Sequence, residues 1–303
     1  MIRVVAAENL AYLKTLSSGT VDLIYIDPPF NTGHEQIRTH YRMTRSDAGT
    51  RRGFNGVTYS DEILSERRYS DNFDDYLNFL RPRIEEAHRL LKGSGSFYFH
   101  IDYREVHYCK VLIDEIFGRD SFLNEIIWAY DFGGRSKKRW PAKHDNILYY
   151  AKDPERYTFN RDAVDRIPYM APSLVSEKKR KLGKFPTDTW WHTIVPTNGR
   201  EKTGYPTQKP AEILRRIVRA SSNPGDLVLD FFAGSGTTGA VCAEEGRDCI
   251  LVDENPEAIE IMRKRIPGAE FCPFGSIGAG EAPEPETAGR NGKCQLPDRK
   301  SVV

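Results

Sequence analysis

Along most of the chain, short apolar runs of strand length alternate with segments of helical period. Residues 2 to 5 (IRVV) and 21 to 26 (VDLIYI) are two such runs, with a helix-like stretch from Asn9 to Leu16 between them. This is a βαβ pattern. From Asn31 to about Ser70 the pattern breaks into polar residues rich in Arg, Gly, Ser and Thr. That is too long for an ordinary connection, so residues 31–70 are expected to form a mobile functional loop, in the manner of a lid. A helix capped by Asp71 or Asp74 and running to about Leu91 follows, then the strand GSGSFYFHI and a helix from Tyr103 to Phe117. The runs NEIIWAY (124–130) and NILYYAK (146–152) have no strong helix between them. They predict an antiparallel pair at a sheet edge.

Residues 153–204 carry Pro, Lys, Arg and aromatics without clear period and read as an irregular inserted module. Regular alternation then returns: a helix over Ala211–Ala220, the strand LVLD at 227–230, a helix after Gly236, the strand CILVD at 249–253 and a helix over Pro256–Arg265. Beyond residue 270 the Gly, Pro and Glu content rises, and 271–303 is expected to be a disordered tail. About five strands in βα units plus a hairpin predict an α/β fold: a twisted, mostly parallel sheet with helices on both faces. Ligands bind such sheets at the carboxyl ends of the strands. Residues 1–152 and 205–270 would build that sheet around the 153–204 insertion.

Composition narrows the class. In 303 residues, 39% hydrophobic and 29% charged, no apolar run approaches the roughly 18 residues that span a membrane. The N-terminus MIRVVAAENLAYLK has no secretory h-region, which points to the cytoplasm. Five cysteines without a CxxC pair read as reduced thiols, and seven histidines show no ligand spacing, so no metal is expected. The net charge of +1 is uninformative, but its distribution is not. Arg135, Lys137, Lys138, Arg139 and Lys143 cluster, Lys178 to Lys184 hold a second group, and Arg215, Arg216 and Arg219 share a helical pattern.

Two strand ends carry unusual chemistry. In DFFAGSGTTG a strand ends at Asp230 and a helix begins near Gly236, so Gly234 and Gly236 would let backbone approach a ligand closely. Asp253 ends the next strand where a ribose-binding acid belongs. The run Gly234–Gly239 also matches the dinucleotide fingerprint, so this motif alone leaves a nicotinamide-dependent oxidoreductase open. The second strand end is Asp27-Pro28-Pro29-Phe30. Two prolines fix the backbone and remove two N–H donors, leaving a cluster of acceptors. An exocyclic amine is a poor nucleophile because its lone pair is delocalised into the ring. A carboxylate and a neighbouring carbonyl, Asp27 and Pro28, would hold its two hydrogens and aim nitrogen at a methyl carbon. Phe30 would stack on the base, worth about 1–3 kcal/mol.

With VDLIYIDPPFNTG, NEIIWAYDFGGR, YPTQKP and LVLDFFAGSGTTGAV in this order, the chain resembles the beta-class DNA amino-methyltransferases. The likeness covers roughly residues 2–152 and 203–266. It implies a seven-stranded, circularly permuted methyltransferase sheet with Rossmann-like topology, the catalytic strand early and the cofactor strands last. It implies S-adenosylmethionine as cofactor, held by Phe232, Ala233, Gly234, Ser235, Gly236 and Thr237, with Asp230 and Asp27 beside it and Asp253 at the ribose. Thr207 and Lys209 would close the pocket, and Glu8 with Asn9 would meet the adenine end, although Glu8 replaces the family's usual Asp and Tyr205 a frequent His. The 153–204 segment would recognise the target, with Trp190, Trp191, Tyr157 and Tyr169 among its basic residues. Double-stranded DNA is the implied partner, contacted by Arg135, Lys137, Lys138, Arg139 and Lys143. A homodimer and a cognate restriction endonuclease are candidate further partners. Asp27 favours N6 of adenine over N4 of cytosine, since members acting on cytosine often carry Ser there; N4-cytosine methylation stays open.

Overall fold

The computed structural model describes residues 1–32, 36–45, 51–52, 58–69, 73, 75–133, 136–196 and 199–273. Its centre is a nine-stranded sheet built in two passes of the chain. The first pass contributes β1 (Ile2–Ala6), α1 (Asn9–Leu13) and β2 (Val21–Ile26), and then leaves the sheet for β3 (Gln36–Arg45), β4 (Arg51–Arg52) and β5 (Thr58–Tyr69). It returns through α2 (Tyr76–Leu90), β6 (Leu91–Asp102), α3 (Val106–Phe117), β7 (Phe122–Ala129) and β8 (His144–Ala151). After α4 (Glu177–Leu182) and β9 (Thr189–Trp191), the second pass adds α5 (Ala211–Ser221), β10 (Leu227–Asp230), α6 (Thr237–Glu245), β11 (Asp248–Asp253), α7 (Pro256–Arg265) and β12 (Glu270–Pro273).

The spatial order is β12-β1-β11-β10-β2-β6-β8-β7-β9. The seven expected strands are its interior, flanked by the short β12 and β9. Among the described strands of this sheet only β8 runs antiparallel, to both β6 and β7. Two strands of the second pass, β10 and β11, lie between β1 and β2, the arrangement that the family resemblance implied. Period-two alternation feeds two cores. Val5, Ile24, Ile26, Phe97 and Phe99 face α1–α3, whereas Val4, Leu23, Tyr25, Tyr98 and Ile147 face α5–α7.

Several expectations change in detail. Residues 36–45 and 58–69 form an antiparallel pair with β4 beside it, where a loop was expected over 31–70. The alternation Ile37, Thr39, Tyr41, Met43 is a strand period hidden by its polar partners. The cap of α2 is Asp75, whose carboxylate accepts from Asn78 N at 3.1 Å; Asp71 and Asp74 lie outside the described residues. The 153–204 segment is mostly irregular, yet it is joined to the catalytic sheet, because β9 pairs in parallel with β7. Trp190 is core, only 7% exposed, with its indole N–H on the Thr187 carbonyl at 2.8 Å and the Arg216 guanidinium over its ring. Cys109, Cys242 and Cys249 are free, buried thiols. Cys272, read as reduced, is instead disulfide-bonded. Of the expected tail, only 271–273 is described, and these residues belong to β12. No helix among the described residues is long and apolar enough to cross a membrane.

Candidate active site

The carboxyl ends of β1, β11, β10 and β2 open on one cavity of about 570 Å³, a size usual for a cofactor site. Asp27, Pro28, Pro29 and Phe30 line it from β2. Phe232, Ala233, Gly234, Ser235 and Thr237 line it from the bend after β10, together with Asp230, and Asp253 lines it from β11. Glu8 and Asn9 enter from α1, and Thr207 and Lys209 from the segment before α5. The two strand-end motifs, some 200 residues apart in sequence, thus share one wall. A direct bond joins the halves: the Lys209 ammonium donates to Asp27 Oδ2 at 2.5 Å.

The other oxygen, Asp27 Oδ1, is buried and has no hydrogen-bond partner among the described residues. A desolvated acceptor left open is costly, on the order of 1–3 kcal/mol, and such groups mark functional sites. The backbone around it is fixed. The Tyr76 hydroxyl occupies the Pro29 carbonyl at 2.5 Å. Asn31, at φ +51°, a region Asn tolerates better than most residues, ties the following turn to Glu105 and to Phe73 N.

In the glycine bend, Gly234 N donates to Asp253 Oδ2 at 2.7 Å, and the other oxygen accepts from Asn255 N at 2.9 Å. Burial nonetheless pushes the Asp253 carboxyl up. Gly236 does not line the cavity. Its φ of +70° opens α6, and a Cβ there would come within 2.5 Å of the Met262 side chain. The turn and the packing on α7 both require glycine there, independently of the ligand approach that the motif suggested. Gly234, at φ +50°, does face the cavity, under the Tyr205 ring. Glu8 caps α1 through Leu10 N and Ala11 N and pairs with Arg83 at 2.7 Å. Asn9 donates to the Phe231 carbonyl and accepts from Arg83.

Sequence reasoning missed the wall that α2 supplies, Phe79 and Arg83, whose guanidinium lies 3.9 Å from the Phe79 ring centre. It also missed His100, at 0% exposure inside β6. A histidine in the apolar run FYFHI was the available signal. Of the basic cluster, Lys137, Lys138 and Arg139 are exposed, Lys143 is half-buried with its ammonium on the Gly133 carbonyl, and Arg135 lies outside the described residues. Their loop joins β7 to β8 and so lies at the same sheet edge as Asp27. Arg215, Arg216 and Arg219 instead pair with Glu244, Asp165 and Glu245.

A family model described as DNA methylase, the N6/N4 methyltransferases, matches residues 21–264. The chain belongs to this family. The methyltransferase is 32% identical to the type II methyltransferase M.HpaI of Haemophilus parainfluenzae, over 91% of this chain and 77% of that protein. It is 33% identical to the DNA adenine methyltransferase YhdJ of Escherichia coli K12, over 87% and 82%. Among solved structures, its fold matches the M1.HpyAVI–SAM complex (TM-score 0.56, 21% identity, 88% of this chain and 99% of that one). It also matches the cytosine-N4-specific PvuII DNA methyltransferase (TM-score 0.58, 17% identity, 88% and 86%). Membership of a DNA methylase family removes the nicotinamide reading that the glycine motif alone left open.

Proposed function

We propose that this DNA methyltransferase transfers a methyl group from S-adenosylmethionine to N6 of an adenine turned out of double-stranded DNA. The observation that carries the reading is the open, buried Oδ1 of Asp27, held beside the Pro28 carbonyl on the wall shared with the glycine bend.

The cavity suits the donor. The Asp253 carboxylate has lone pairs left for a ribose diol, Phe79 and Phe232 offer aromatic faces, and Asp27, Asp253 and Glu254 make the rim acidic toward a cation. When bound, S-adenosylmethionine supplies an electrophilic methyl group. Asp27 Oδ1 and the Pro28 carbonyl accept the two amine hydrogens, which turns the nitrogen lone pair out of conjugation. Lys209 fixes the Asp27 carboxylate by its other oxygen, and Phe30 stacks on the base. Lys137, Lys138, Arg139 and Lys143 lie along the backbone of the duplex.

Asp27 at the head of the tetrapeptide and 33% identity to a protein named an adenine methyltransferase favour adenine. The test is to incubate the enzyme with isotope-labelled S-adenosylmethionine and unmethylated mixed-sequence DNA, digest to nucleosides and identify the labelled one by mass spectrometry. N6-methyladenine is expected. N4-methylcytosine would overturn the base assignment, and the absence of any labelled nucleoside would overturn the activity.

A further inference from the structure

We propose that His100 and Asp145 form a proton-holding pair behind Asp27, so that the proton released by the target amine passes to Asp27 Oδ1 and from there to His100. The proposal rests on the methyl transfer proposed above.

An imidazole inside a sheet core is costly unless both ring nitrogens are partnered. Both are. Nδ1 lies 2.8 Å from the Tyr25 hydroxyl, and Nε2 lies 3.3 Å from Asp145 Oδ2. Phe30 and Trp128 pack against the ring at centroid distances of 5.8 and 5.6 Å and close it to water. Asp145 is buried as well and accepts from the Tyr130 hydroxyl at 3.1 Å. Burial by itself would raise the Asp145 carboxyl, but the hydrogen bond from His100 and the charge that this ring carries when protonated, helped by Lys209 and Tyr130, leave it below its ordinary value. The string of polar groups therefore ends in a carboxylate placed to stabilise an imidazolium.

At its other end the string meets Asp27. His100 Nδ1 is 3.8 Å from Asp27 Oδ1, the oxygen of that carboxylate left without a donor among the described residues. That is beyond hydrogen-bond range by under about 1 Å, a gap that a small side-chain shift closes once the Tyr25 hydroxyl turns its hydrogen away. The titratable groups that face His100 among the described residues are Tyr25 from β2, Asp27 just past it and Asp145 from β8, and Tyr130 just past β7 acts through its bond to Asp145. Lys209 acts on Asp145, and Asp230 of β10 acts on Tyr25.

The reaction needs such an acceptor. A nitrogen–carbon bond forms, the carbon–sulfur bond breaks with its electron pair going to sulfur, and the nitrogen is left with one hydrogen too many. Asp27 Oδ1 takes that proton while Lys209 stays on Oδ2. The proton moves on to His100 Nδ1, giving an imidazolium between the two carboxylates of Asp27 and Asp145. His100 never touches the substrate; it is a positioning residue that acts through Asp27.

The experiment is single-turnover methylation of unmethylated mixed-sequence DNA by the full chain, followed across mildly acidic to mildly alkaline pH. It is paired with an NMR titration of the imidazole resonances without cofactor. Wild-type enzyme should gain rate with pH through one inflection, at the pH where the His100 resonance titrates. His100→Gln should lower the chemical step by about 10²-fold, the range of acid–base assistance, abolish the inflection and leave KM for both substrates unchanged. Asp145→Asn removes the charge that favours the imidazolium and should move the inflection to lower pH. Tyr25→Phe removes a donor to the neutral ring and should move it to higher pH. These opposed shifts keep the test valid if His100→Gln does not fold, and a merely structural histidine would produce neither. A flat wild-type profile, or variants whose inflection stays in place, overturns the relay while leaving methylation standing. Failure of the wild-type enzyme to methylate any base overturns the reading beneath it.

Discussion

Asp27 and Asp230 end neighbouring, paired strands and line the same cavity, yet their surroundings differ in kind. Lys209 grips one oxygen of Asp27 from outside the motif, and the other oxygen has no donor among the described residues. Asp230 is wholly enclosed, and both of its oxygens serve its own bend: Thr238 Oγ1 donates at 2.6 Å and Phe232 N at 3.1 Å. Burial pushes its carboxyl up to about 7. One acid keeps an oxygen open toward the cavity while the other is spent on the bend beside it. Position at a strand end does not assign a role; the census of donors around each oxygen does.

The largest expected effect breaks the contrast on the open side. Asp27→Ala should lower single-turnover methylation by about 10³-fold, as removal of a preorganised charge-stabilising group does, and should weaken cofactor affinity by calorimetry far less than that. Asp230→Asn tests the closed side through stability. An acid whose folded pKa lies above its unfolded value of about 3.9 binds its proton more tightly when folded, so the fold loses stability as pH rises from about 4 through about 7. Asn carries no such loss. The variant should equal the wild type in denaturant titrations near pH 4 and exceed it by up to about 4 kcal/mol above pH 8. Gly236→Ala forces a side chain into a left-handed turn and against Met262. It should cost about 2–4 kcal/mol, against about 1 kcal/mol for Gly246→Ala, which has a similar φ but open space around it. The smallest effect on the fold comes from changing Lys137, Lys138 and Arg139 to Ala together. The melting temperature should not move, while the slope of log DNA affinity against log salt should shrink by about 0.9 for each phosphate that these side chains had neutralised.

Much of this fold was readable from hydrophobic period, because buried parallel strands such as VDLIYI and CILVD are nearly continuous apolar runs. The β3–β5 pair was not, since an alternating strand dressed in Arg, Thr and Ser has the composition of a loop. Within the site, motifs located residues that line the cavity, Pro28, Gly234 and Asp253 among them. For Gly236 they could not tell a demand for packing space against Met262 from a demand for ligand approach, because both select the same residue. His100 and Arg83 carry no motif; their importance comes from what three-dimensional packing sets beside them. The Lys209–Asp27 bond joins residues 182 positions apart, and no local pattern encodes such a distance.

The placement of β10 and β11 between β1 and β2 has a consequence for synthesis. A nascent chain that has emerged only as far as residue 226 owns both outer walls of a slot two strands wide and nothing to fill it. The Asp27–Phe30 turn is then finished but faces an empty trench, and the cavity that it shares with the glycine bend does not exist until β10 and β11 have left the ribosome. Folding that waits for partners so distant along the chain is slow, so this architecture delays methyl transfer until the strands beyond residue 226 have been made and inserted.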